Sequence, residues 1–343
     1  ATGASIATDF IVQLFVSFST VFSAFLSFAI PLIIIGFIVP GIGSLAQGAG
    51  KMLGITVGLA YLSSILAGFL ALTCALLLYP IILKGQQLAS FDNPENALST
   101  GYVSIQLTPI MGVLSALILS FILGLGITAL KTRAMLNLFE DFQVIVEKML
   151  SYVIIPLLPV HIVGVFANMT LAGQVAKILS VFGLVFVMVI ILHWVTLALQ
   201  YSVAGAVSRR NPFKMLKTMM PAYLTAIGTQ SSAATIPVTV RSAKKAGVSA
   251  RVADFAIPLC ATIHLSGSMI TITSCSVAVL FMTGQHPDFG SLIPMILVLG
   301  VMMVAAPGVP GGGVMTAIGL LQSMLGFDAS MIALMIALSL AQD

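Results

Sequence analysis

Charge is what this sequence has least of. Of its 343 residues only 7% are Asp, Glu, Lys or Arg, against about a quarter in soluble domains. Fully 59% are hydrophobic, with a mean hydropathy of +1.16, and an aqueous globular fold is excluded. Cysteine is scarce too. Cys74, Cys260 and Cys275 all lie in apolar runs, so buried thiols acting as small apolar residues are expected, not a disulfide framework or metal cluster. There is no His-Glu-x-x-His pair, no Gly-x-Ser-x-Gly elbow and no P-loop, and an enzyme is not expected. A Ser266–His264 dyad fails as well, because residues two apart on a helix point to different faces. The net charge of +4 sits in short loops and is no nucleic-acid signature.

What is present is long apolar sequence. Thr56–Tyr79, Met111–Leu130 and Phe182–Leu199 are each long enough to cross a hydrocarbon core of about 30 Å. The runs are continuous, not alternating, which selects helices over a closed barrel. The first run, Phe10–Val39, is too long for a cleavable signal and lacks a basic flank. The expected class is an all-α polytopic membrane protein surrounded by lipid, in a bacterial-type inner (plasma) membrane.

The basic residues set its topology. Lys51, the group Lys131–Lys148 and the group Arg209–Lys217 fall on one side, and Lys84 and Lys177 on the other, as the positive-inside bias requires. The groups at 209–217 and 241–251 both favour the cytoplasm, yet they flank about 20 residues, enough for one crossing and not two. The centre of that interval, GTQSSAAT, is small and polar. A re-entrant hairpin over about 218–240, with its tip at Gln230–Thr235, satisfies both constraints. A helix over 252–283 then crosses. Next, 291–326 breaks at AAPGVPGGG, where two prolines and four glycines cannot continue a helix, and a last helix occupies 329–343. Hairpin–helix followed by hairpin–helix, entering from opposite faces, is an inverted repeat whose tips converge near the midplane. The alternative, one span over 219–240 and an ordinary Pro/Gly loop, leaves four basic residues outside.

Irregular backbone at bilayer depth is tolerated only where protein or a polar cavity satisfies it, so the two breaks mark a candidate binding site. At the first tip, Ser231 and Ser232 offer hydroxyls and free amides at a half-helix N-terminus, which suits a carboxylate; close helix packing is the competing reading. In Cys260–Ser268, Gly267 and the hydroxyl residues, Thr262 among them, favour unwinding that presents carbonyls to an ion. His264 is ionisable at membrane depth and a candidate proton acceptor, with a packing role as the alternative. His161 and His193 are read as having no polar company and are expected to be structural. Asp343, an acid within a span, needs a cationic partner.

The segments SSAATIPVTVR (Ser231–Arg241), PLCATIHLSGS (Pro258–Ser268) and AAPGVPGGGV (Ala305–Val314) resemble, in order and spacing, the glutamate transporter family of dicarboxylate/amino acid:cation symporters. The resemblance implies a glutamate-transporter-like fold with two re-entrant helical hairpins and inverted repeats. It implies a homotrimer with 1–200 mainly scaffold, apart from the family's third helix at about 53–81, and 201–343 the transport core, moving as an elevator with hairpin 2 as outer gate. It places substrate, an amino acid or dicarboxylate, on Ser231, Ser232, Ser268, Gly308, Val309 and Gly313, with Asp343 on a substrate amino group. It places the coupling ion, sodium or a proton, near Ser63, Ser64, Cys260, Thr262, His264, Leu265, Ser266, Met303 and Val304, and implies no other cofactor. The family's Asn-Met-Asp-Gly-Thr stands here as His264-Leu265-Ser266-Gly267-Ser268. Two sodium-ligating side chains are thus replaced by an imidazole and a hydroxyl, and a hard cation depends on anionic oxygen. Met303 and Ala306 likewise replace hydroxyl residues near another sodium site. The expected function is a secondary symporter of a small carboxylate-bearing solute. The alternatives are a proton-coupled or weakly coupled carrier of a neutral amino acid, or an anion-conducting channel or sensor on the same fold.

Overall fold

The structure, a computed structural model, describes residues 2–45, 50–83, 102–103, 105, 107–130, 132–171, 175–229, 232–285, 287–304, 306, 311–340 and 342. The described residues are helical, without strands. The first group comprises α1 (Thr2–Leu45), α2 (Gly50–Ile82), α3 (Val113–Leu130), α4 (Arg133–Met149), a π-helical turn (Leu150–Ile154), α5 (Ile155–Leu171) and α6 (Val175–Ser208). The second comprises α7 (Pro212–Thr229), α8 (Ser232–Lys245), α9 (Ala250–Ile263), α10 (Ser266–Met282), α11 (Phe289–Met303), α12 (Gly312–Leu325) and α13 (Ala329–Leu340). By length and composition Phe10–Gly43, Met52–Ile82, Ser180–Ser208 and Ala250–Met282 can each cross a membrane.

Lipid tails are as apolar as leucine, so helices in a bilayer associate through close packing and polar contacts instead of apolar burial. Small residues supply the closeness. A Cβ on Gly124 of α3 would come within 2.7 Å of the Ile42 Cβ on α1, and one on Gly68 of α2 within 2.8 Å of the Met269 Cε on α10. One assembly is α1 packed on α3, α4 and α5. At its heart His161 is buried with its ring 5.1 Å from Phe22, the packing role expected of it. The other is built on α10, buried at every residue from Met269 to Met282 and flanked by α2, α6, α11, α12 and α13. The Tyr79 hydroxyl of α2 donates to the Ser274 carbonyl of α10 at 3.1 Å, adding a hydrogen bond to that seam.

Two helix pairs fold back on themselves. Helices α7 and α8 pack side by side, and Arg210 Nη1, before α7, donates to the Ala246 carbonyl, after α8, at 2.6 Å. A continuous rod from 212 to 245 would hold those residues about 50 Å apart. Gly247 (φ +94°) makes room for the contact, since a Cβ there would collide with the Arg210 guanidinium. The described arms end at Thr229 and restart at Ser232, bracketing the expected turn; Gln230 and Ser231 lie outside the described residues. Helices α11 and α12 also pack together, around a break whose residues 305 and 307–310 lie outside the described set. The span expected over 252–283 runs as α9 and α10, parted at 264–265 within the stretch where unwinding is expected.

Candidate functional site

The interruption falls at His264 (φ −118°, ψ 79°) and Leu265 (φ −104°, ψ 52°), neither of them helical. The His264 amide still donates to the Cys260 carbonyl at 3.0 Å, and α10 starts cleanly with Met269 N donating to the Leu265 carbonyl at 3.0 Å. A break of this kind leaves the last carbonyls of one helix and the first amides of the next without intrahelical partners. Two of the residues responsible, Ser266 and Ser268, favour helix starts over interiors, because their hydroxyls compete for backbone groups.

A polar network fills the break. His264 Nε2 lies 3.0 Å from Ser63 Oγ on α2. Gln200 on α6 donates through Nε2 to the same Ser63 Oγ at 2.9 Å and to Ser266 Oγ at 3.4 Å. His193 Nε2, also on α6, lies 3.3 Å from the Gly267 carbonyl and 3.3 Å from the Thr271 hydroxyl. The expectation that His193 lacks polar company is therefore wrong: its partners come from 74 and 78 residues away. Gln200 was not singled out either. The signal for both is helical spacing, since His193, Thr196 and Gln200 at i, i+3 and i+7 share one face of α6. Ser64, beside Ser63, is buried, and its hydroxyl has no hydrogen-bond partner in the structure; the same holds for Thr196 and Thr273.

The candidate residues divide. Ser63, His264, Leu265 and Ser266 gather at the break. Thr262 is exposed on α9 and its hydroxyl donates to the Leu259 carbonyl at 2.9 Å. Cys260 instead joins Ser232 and Thr235 in lining a cavity of about 310 Å³, walled by α6, α7, α8 and α9 and largely apolar, with Trp194, Tyr201 and Tyr223 among its aromatic residues. Ser268 packs against the start of α12. A Cβ on Gly313 would meet Ser268 Oγ at 2.8 Å and its Cβ at 2.9 Å, so two candidate substrate contacts are in van der Waals contact. Gly311, left-handed at φ +72°, turns the chain into α12. Met303 is buried at the end of α11 and Val304 caps it. Ser231, Gly308, Val309 and Asp343 lie outside the described residues. The neighbouring Gln342 is buried, with its Oε1 accepting from the Cys275 thiol at 3.8 Å. Among the described residues no three His, Cys, Asp or Glu side chains cluster as metal ligands.

Long apolar helices, one interrupted at a half-buried polar network and two pairs folding back on themselves, define a polytopic helical membrane protein with discontinuous helices. The chain belongs to the sodium:dicarboxylate symporter family, whose profile matches residues 1–343. It is 28% identical over 241 residues to a serine/threonine transporter, SstT, of Acinetobacter baumannii (strain SDF), covering 68% of this chain and 56% of that relative. It is 24% identical over 277 residues to an excitatory amino acid transporter of Caenorhabditis elegans, covering 77% of this chain and 53% of that protein. The chain thus spans just over half the length of these curated relatives.

Proposed function

We propose that this protein is a secondary active symporter that moves a small carboxylate-bearing solute, an amino acid or dicarboxylate, with a coupling cation. The observation that carries the reading is the packing of Ser268, just past the first break, against Gly313, just past the second. Breaks meeting in this way are how carriers expose backbone dipoles to a solute near the midplane. Family membership and two relatives named as amino acid transporters support the solute class. On this reading α7–α8 and α11–α12 are re-entrant hairpins of an inverted repeat. Ser231, Ser232, Gly308, Val309 and Gly313 on their tips, with Ser268, hold the solute, and Asp343 takes its amino group. The segment 201–343 with α2 forms a transport core that slides against the scaffold as an elevator. The assembly is a homotrimer in a bacterial-type inner membrane.

The coupling ion is the finer question. Sodium names the family, yet the break offers hydroxyls and an imidazole where a hard cation in hydrocarbon needs anionic oxygen. We assign the coupling charge at this position to a proton on His264. In proteoliposomes, uptake should follow a proton gradient and His264→Asn should abolish its pH dependence. Uptake that requires sodium, together with unchanged pH dependence in His264→Asn, would overturn the proton version. The named serine/threonine relative favours a neutral amino acid as second reading. Concentrative uptake against a gradient separates either carrier from an anion-conducting channel.

A further inference from the structure

We propose that Gln200 is an internal stand-in for a coupling cation: its amide N–H groups bridge Ser63 and Ser266 and occupy the position a sodium ion would take between them. The word coupling rests on the carrier reading above; the occupancy does not. The amide nitrogen carries two N–H donors, and two hydroxyl oxygens receive them, at 2.9 Å and 3.4 Å. The lone pairs thus engaged are those a cation would require. A donor hydrogen aimed at the same point repels a cation instead of joining its ligand shell.

The rest of the surroundings agree. Ser63 Oγ, having accepted from Gln200, keeps its own proton for a neutral His264 Nε2 at 3.0 Å. When His264 is protonated there, the imidazolium donates to the second lone pair of Ser63. In both states the hydroxyl keeps two hydrogen-bond partners, Gln200 and His264, without a metal. No described Asp or Glu side chain is hydrogen-bonded or ion-paired to Ser63, Gln200, His264 or Ser266, so no described carboxylate there offsets the desolvation of a bare cation. Gln200 also arrives from α6, outside the motif segments that carry the family resemblance. The proposal therefore identifies a specificity-determining residue that those motifs do not contain, and it predicts a position that is insensitive to sodium by construction of its hydrogen bonds.

The test is the melting temperature of the purified full chain in sodium chloride against choline chloride at alkaline pH. Gln200→Glu exchanges the donor for an anionic oxygen between the two hydroxyls. It should gain a sodium-dependent rise in Tm beyond that of the wild type, growing with the logarithm of sodium concentration. A sodium response equal to the wild type in a folded Gln200→Glu protein overturns the proposal. So does a wild-type sodium response that Gln200→Ala diminishes, because the amide would then be a ligand. If Gln200→Glu does not fold, Ser266→Asp with and without Gln200→Ala decides. The carboxylate should confer a markedly larger sodium response once the amide is gone, and equal responses overturn the proposal. No solute and no flux enter these measurements, so failure of the carrier reading in uptake assays is a separate result.

Discussion

At the residue scale the contact between Gly313 and Ser268 is tight on both sides. Alanine at a helix start gains about 1 kcal/mol over glycine in propensity, whereas overpacking costs about 1–3 kcal/mol. The offending neighbour includes the Ser268 Cβ at 2.9 Å, which no rotamer change removes, so the cost wins. Gly313→Ala should lower Tm and weaken stabilisation by whichever amino acid or dicarboxylate a thermal-shift screen finds best; an unchanged Tm and ligand response would show that the contact is slack. Asp288 gives a pH prediction outside the membrane-spanning segments. It caps α11 by accepting from Ser291 N at 2.7 Å, and the Ser291 hydrogen bonds hold its carboxyl below the ordinary carboxylate value. A depressed pKa contributes stability above the unfolded value, about 3.9, that is lost as pH falls through the folded value. Asp288→Asn keeps a capping oxygen without the charge, so the acid limb of the Tm–pH profile should flatten below about pH 4, and the neutral plateau should fall slightly toward the acid value. An unaltered acid limb would remove Asp288 from the account.

At the element scale the α7–α8 pair turns on its base. The Arg210–Ala246 hydrogen bond and Gly247 at φ +94° hold the two ends of a 34-residue stretch together, and the Lys244–Asp254 ion pair at 2.6 Å ties α8 to α9. That ion pair is solvent-exposed and contributes little. Gly247→Ala meets both an unfavourable φ, about 1–2 kcal/mol, and the guanidinium. Adding Arg210→Ala should restore the steric part, so the double variant should melt above Gly247→Ala alone; a strictly additive pair would show that the two do not share one contact. In sealed vesicles, cysteines placed at Met215 and Lys245 should label from one side. Labelling from opposite sides would dismantle the re-entrant reading. The expected turn was legible because two basic clusters could not both be cytoplasmic across one span. The interruption at 264–265 was legible only as a tendency, since Gly267 and its hydroxyl neighbours permit a break without saying that α10 would be extracted from α9.

At the scale of the whole molecule, α1 with α3–α5 and α10 with the helices around it share one continuous apolar core. The proposed trimer predicts a native mass of three chains in mild detergent, and a monomer at working concentration would remove that part of the reading. Composition and the order of basic groups determined the class of this protein, because apolar length and charge placement are properties a bilayer reads locally along the chain. Proline, glycine and small polar residues act on their own backbone, so they marked where helices could break without fixing that one parts at 264–265. Partnership was beyond them. That Gln200 reaches Ser63 across 137 residues, that His193 has polar neighbours, and that Cys260 lines a cavity with Ser232 all follow from which helix faces meet. Facing is set by the packing of α2 and α6 on α10 and of α2 and α8 on α9, a choice made between helices and therefore written only in the tertiary structure.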